Sequence, residues 1–124
     1  MRLITTMLAL LLASSGAWAD WVKLGETDEA TFYIDPATIR KEGNLRRVWE
    51  MQDLKQKGRN GQLSFRARTE YDCNQDRIRI LSLSTHSELM GSGKTLSRGS
   101  HPLEWEDIPP GTYFEAILKI VCAK

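Results

Sequence analysis

Apolar and polar positions alternate strictly through the middle of the chain. Phe65, Ala67, Thr69, Tyr71 and Cys73 fall on one parity, and Ser64, Arg66, Arg68, Glu70 and Asp72 on the other. A period of two is the signature of a strand with one buried face. A long strand from Leu45 to about Leu54 precedes it, and the polar connection Lys55 to Gly61 closes on Asn60-Gly61, a hairpin signal that predicts antiparallel pairing. After the Asn74-Gln75-Asp76 turn the alternation resumes from Arg77 to Ser87. Ile78 and Ile80 lie on one parity there and Leu81 and Leu83 on the other, which predicts a bulge near Ile80-Leu81. Residues 45–87 therefore read as a three-stranded meander.

Upstream, Trp21 to Leu24 and Thr31 to Ile34 are short aromatic and β-branched runs separated by Gly25 to Glu29, which predicts two more strands. Asp35-Pro36 is expected to end the second, since proline cannot donate to a ladder. One helical turn over Ala37 to Arg40 is expected before Glu42-Gly43-Asn44 reverses the chain. The stretch Glu88 to Gly111 is expected to be mostly loop, with a short strand near Leu103 to Glu106. Beyond it, Phe114, Ile117, Leu118, Val121 and Cys122 recur at helical spacing, and Thr112 with Glu115 makes a capping box. The fold class is α+β: an antiparallel sheet of about five to six strands with a C-terminal α-helix packed on it.

The N-terminus reads as an export signal. Arg2 is followed by an apolar run from Leu3 to Leu12, and Ala17-Trp18-Ala19 carries small residues where a signal peptidase cuts. Cleavage is expected after Ala19, leaving residues 20–124 as a single domain. The run stops at Ser14-Ser15-Gly16, short of the roughly 18–20 apolar residues of a membrane anchor. The product is therefore expected in the periplasm or secreted.

Export changes the meaning of the two cysteines, Cys73 and Cys122. An even count in an oxidising compartment makes a disulfide the default. A redox pair usually wants C-x-x-C, and a zinc site about four ligands, toward which only His86 and His101 could contribute; both remain weaker alternatives. No cofactor and no metal are expected.

Charge narrows the partners. Lys plus Arg number 17 against 16 Asp plus Glu, too even for non-specific nucleic-acid binding. The balance is local, however: Arg40 to Arg79 holds eleven basic and six acidic residues. Arg66 and Arg68 should point outward from one strand and Arg77 and Arg79 from its neighbour, with Arg46 or Arg47 extending the group. Such a patch grips carboxylates, sulfates or an acidic protein through paired hydrogen bonds. The competing account is a solvated face neutralised by Glu70 and Asp72.

Other motifs fall short. Gly91-Ser92-Gly93-Lys94-Thr95 resembles the end of a phosphate-binding loop, but glutamate occupies position 88 where the motif needs glycine. Glu104, Glu106 and Asp107 surround Trp105 on a Pro-bounded loop, where adjacent acids are usually just solvated. No G-x-S-x-G elbow accompanies the histidines. No catalytic residue emerges, and the protein is not expected to be an enzyme.

Taken in order, Trp21, Tyr33-Ile34-Asp35-Pro36, Thr38-Ile39, Val48-Trp49, Tyr71-Asp72-Cys73, Trp105, Ile108-Pro109-Pro110-Gly111 and Val121-Cys122 resemble the bacterial surface-adhesin protein E-like family. The resemblance implies a helix packed on an antiparallel sheet, a disulfide joining helix to strand, and a tendency to form a homodimer. It also implies a binding role, since the family's namesake attaches to host matrix and serum proteins such as vitronectin, laminin and plasminogen. The lipid-attachment cysteine of the family's namesake is missing here. The expected function is thus an exported, non-enzymatic protein-binding domain, adhesin-like, that contacts host or envelope proteins. The alternative is a periplasmic small-molecule-binding or envelope-stress protein with a pocket between helix and sheet.

Overall fold

The computed structural model describes residues 20–124; the expected export signal at residues 1–19 lies outside the described residues. Among the described residues seven strands form one antiparallel sheet: β1 (Val22–Glu26), β2 (Ala30–Glu42), β3 (Leu45–Leu54), β4 (Ser64–Asp72), β5 (Arg77–His86), β6 (Thr95–Gly99) and β7 (Glu106–Asp107). The first six lie side by side in chain order, and β7 adds to the far end of β5. The chain closes with helix α1 (Tyr113–Cys122).

The meander forms as the alternation predicts. Asp53 pairs with Ser64 and Leu45 with Asp72 across the first hairpin. Between β4 and β5, Thr69 faces Ile80 and Arg68 faces Ser82, so Leu81 is the extra residue of the expected bulge.

Two expectations are corrected. Pro36 does not end β2, and Ala37 to Arg40 form no helical turn. The strand runs on to Glu42, and its register against β3 jumps from Asp35↔Trp49 to Arg40↔Arg47. Residues 36–39 bulge out of the ladder, where a proline forfeits no pairing. Thr38 stands in for the missing ladder partner. Its hydroxyl accepts the Trp49 N–H at 3.0 Å and donates to the Asp35 carbonyl at 2.7 Å. The second correction concerns residues 88–111, which are less loop than expected. β6 pairs with β5 from Leu83↔Gly99 to His86↔Thr95, and in place of the short strand expected near Leu103 to Glu106 only Glu106–Asp107 pair, as β7.

Strand parity puts Ile34, Val48 and Tyr71 on one sheet face, and α1 lays Ile117, Leu118 and Val121 on them to make the buried core. The Thr112 hydroxyl caps the helix by accepting the Glu115 N–H at 3.4 Å. At the other end the buried Arg46 donates to the carbonyls of Gly43 (2.8 Å), Leu45 (3.0 Å) and Lys124 (3.4 Å), a cation where the helix dipole favours one. The Cys73–Cys122 disulfide ties the helix to the residue just after β4, with Cα atoms 5.8 Å apart. Tyr113 stacks on Phe32 with ring centroids 4.4 Å apart and donates to the Glu26 carbonyl at 3.2 Å. No helix among the described residues is long and apolar enough to cross a membrane.

Candidate partner-binding face

The sheet face turned away from α1 carries the arginines. Pairing of β4 with β5 sets Asp72 beside Arg77, Glu70 beside Arg79, Arg68 beside Ser82 and Arg66 beside Ser84, so all four predicted arginines share this face. Arg47 joins them from β3, opposite Glu70, whereas Arg46 points to the helix side.

The charges on this face divide into two groups. In the first, Glu70 is fully buried and clamped from both sides. Arg47 Nε donates to Oε2 at 2.7 Å and Arg79 Nε to Oε1 at 2.8 Å. Burial pushes the Glu70 carboxyl up, but the two guanidinium groups outweigh it and hold the acid below the usual range. Asp72 is similar: burial raises it, and the N–H groups of Gln75 and Asn74 with the Arg77 guanidinium bring it below. Arg77 Nη2 lies 3.1 Å from Asp72 Oδ2. The Trp105 ring then covers this end, 4.6 Å from the guanidinium carbon of Arg79 and 5.3 Å from that of Arg77. Trp105 is thus an anchor that fixes its loop over a neutralised cluster.

The second group is left uncompensated. Arg66, Arg68 and Arg98 form no ion pair among the described residues. Arg66 lies over the Trp49 ring at 4.3 Å, a cation–π contact. Trp49, Arg66, Ser82, Ser84, His86 and Arg98 line a groove of about 410 Å³. His86 is held below the ordinary histidine range, first by burial and then by the charges of Arg66 and Arg98. It stays neutral at pH 7, and its Nε2 lies 2.8 Å from the Ser84 hydroxyl. Two cations, hydroxyls and a flat aromatic together suit an anionic group better than a cation.

Arg98 and His86 did not belong to the predicted set. Arg98 sits on β6, whose five residues are all exposed and so show no apolar period to betray a strand. Among the described residues no cluster of three or more His, Cys, Asp or Glu could hold a metal ion.

Comparison with known proteins bears on this architecture. A family model described as surface-adhesin protein E matches residues 21–123. The chain belongs to the surface-adhesin protein E family. Solved structures of Haemophilus influenzae protein E share its fold. One superposes with a TM-score of 0.66 at 15% identity, covering 86% of each chain. A selenomethionine form gives 0.65 at 13% identity over 82% of this chain and 86% of that one. Protein E from a non-typeable Haemophilus influenzae gives 0.57 at 15% identity, covering 88% and 79%. No curated protein matches the sequence. For this adhesin family member, the sheet, the helix and the Cys73–Cys122 bond are as the sequence resemblance implied.

Proposed function

We propose that the protein is an exported, non-enzymatic binding domain of adhesin type that holds an acidic segment of a host or envelope protein on its outer sheet face. Residues 1–19 are removed on export, and residues 20–124 act as one domain in the periplasm or outside the cell. Arg66, Arg68 and Arg98 supply the charge, and Trp49 supplies a flat apolar platform beside them. Arg77 and Arg79, paired with Asp72 and Glu70, flank this patch and contribute hydrogen-bond donors rather than net charge. The observation that carries this reading is the contrast within one face: among the described residues Arg47, Arg77 and Arg79 are fastened to carboxylates, and Arg66, Arg68 and Arg98 are not.

The test is retention of the purified protein on immobilised matrix, serum and envelope proteins and on heparin. The Arg66→Ala/Arg68→Ala variant, with and without Arg98→Ala, is expected to lose retention, and the wild type to elute early as salt rises. Unchanged retention by the triple variant would sink the proposal. Size measurement of the same samples reads whether the homodimer implied by the family forms.

A further inference from the structure

The helix side of the sheet holds a feature that partner binding on the other face does not use. A cavity of about 560 Å³ opens between the sheet, the segment 103–109 and the first turn of α1. Its walls are apolar, built from Phe65, Ile78, Ile80, Leu83, Leu103 and Phe114, with Ala67 leaving space at the floor. The volume falls within the range of small-molecule sites, roughly 300–1,000 Å³.

Its charge is one-sided. Glu50 lines it from the inside at 5% exposure, and Glu104, Glu106 and Asp107 line it with exposed side chains. Among the described residues that line it, the one basic residue is Arg79, whose guanidinium is held on the opposite face by Glu70. Among the described residues Glu50 has no ion-pair partner; its Oε2 accepts a 2.8 Å hydrogen bond from the buried Tyr71 hydroxyl. A carboxyl so placed is costly to ionise unless a cation arrives. Burial accordingly pushes Glu50 up to about 7, against the lowering hydrogen bonds of Thr69 and Tyr71.

We propose that this cavity binds a small amphiphilic cation, with its apolar body against Phe65, Ile80, Leu83 and Phe114 and its ammonium group directed to Glu50. An ammonium replaces the missing counter-charge, and the exterior acids favour the approach of cations over anions. Among the described lining residues, an anionic amphiphile of the same shape meets four carboxyl groups and no free base.

The experiment uses three probes that differ only in headgroup: octylamine, octanol and octanoate, titrated calorimetrically into the full-length mature protein at pH 7.5. Saturable one-to-one binding of octylamine is expected, at least tenfold tighter than octanol, with octanoate weakest. Glu50→Gln should reduce octylamine affinity about tenfold and leave octanol unchanged, because only the charge-assisted contact is lost. Ala67→Leu, which fills the floor, should weaken both. Equal binding of the three probes by the wild type, octylamine binding unaffected by Glu50→Gln, or no octylamine binding at all would each overturn the proposal. Loss of partner retention by the outer-face arginine variants leaves this outcome untouched, so the two proposals fail separately.

Discussion

The Tyr71 hydroxyl donates to Glu50 Oε2 across 2.8 Å in the interior between sheet and helix. A neutral tyrosine thus supports an acid that forms no ion pair among the described residues. Burial raises Tyr71 well above its ordinary value, as do the charge of Glu50 and the hydrogen bond to it, so it remains a donor at every working pH.

Stability should depend on pH through Glu50. Its folded value of about 7 lies above the ordinary 4.5, so between these values the folded chain keeps a proton that the unfolded chain releases. Stability therefore falls as pH rises through that window. Glu50→Gln removes the effect. In urea unfolding it should exceed the wild type by up to about 3 kcal/mol at pH 8 and match it near pH 4. Glu70 and Asp72 act in the opposite sense, stabilising above their ordinary values and ceasing to as pH falls; they are common to both proteins and cancel in the difference.

Removing the acid at the centre of the outer clamp should be costly. Glu70→Ala leaves Arg47 and Arg79 facing each other across an emptied site, and a loss of about 3 kcal/mol is expected, the scale of breaking a buried ion pair. Chemical denaturation of the purified variant measures it. Replacing exposed Glu42, which also reaches Arg47, should change stability far less.

Much of this framework was legible in the chain itself. Period two placed Arg66, Arg68, Arg77 and Arg79 on one face without any structure, and the parity change at Ile80-Leu81 located the bulge. Which arginines are neutralised was not legible. That depends on Arg47, Glu70 and Arg79 standing in one cross-strand row, a register that the long connection between Leu54 and Ser64 leaves open. Pro36 misled for a different reason: the hydroxyl of Thr38 replaces a ladder partner, and side-chain substitution of a backbone bond leaves no periodic trace. Glu50 shares the parity of Val48, so its inward direction was readable. The cavity around it was not, because its far wall comes from residues 103–109, which carry no regular pattern.

Gly25 should not tolerate a side chain. A Cβ there would approach Cε1 of Tyr113 to 2.8 Å, and Tyr113 is pinned by Phe32 and by the Glu26 carbonyl. Gly25→Ala is expected to cost about 1–3 kcal/mol by overpacking. Thermal unfolding reads the loss, and combining it with Tyr113→Ala should relieve the clash and make the two changes non-additive.

Reduction should weaken the domain substantially. The Cys73–Cys122 bond spans a sequence separation of 49 residues, and in the chain-entropy account a loop of that size contributes about 4 kcal/mol. The Cys73→Ser/Cys122→Ser variant is expected to unfold at correspondingly lower urea. An intact mass with two free thiols in native material would contradict the framework.

Because β1 to β6 lie side by side in the order in which they are synthesised, each strand on emerging finds its neighbour already present. Hairpin closure can therefore proceed from the N-terminal end without waiting for distant partners. The greasy underside formed by Ile34, Val48 and Tyr71 has no cover until the last dozen residues arrive. Assembly is progressive but shielding is abrupt, so a nascent or truncated chain that lacks its tail is the species most in need of a chaperone.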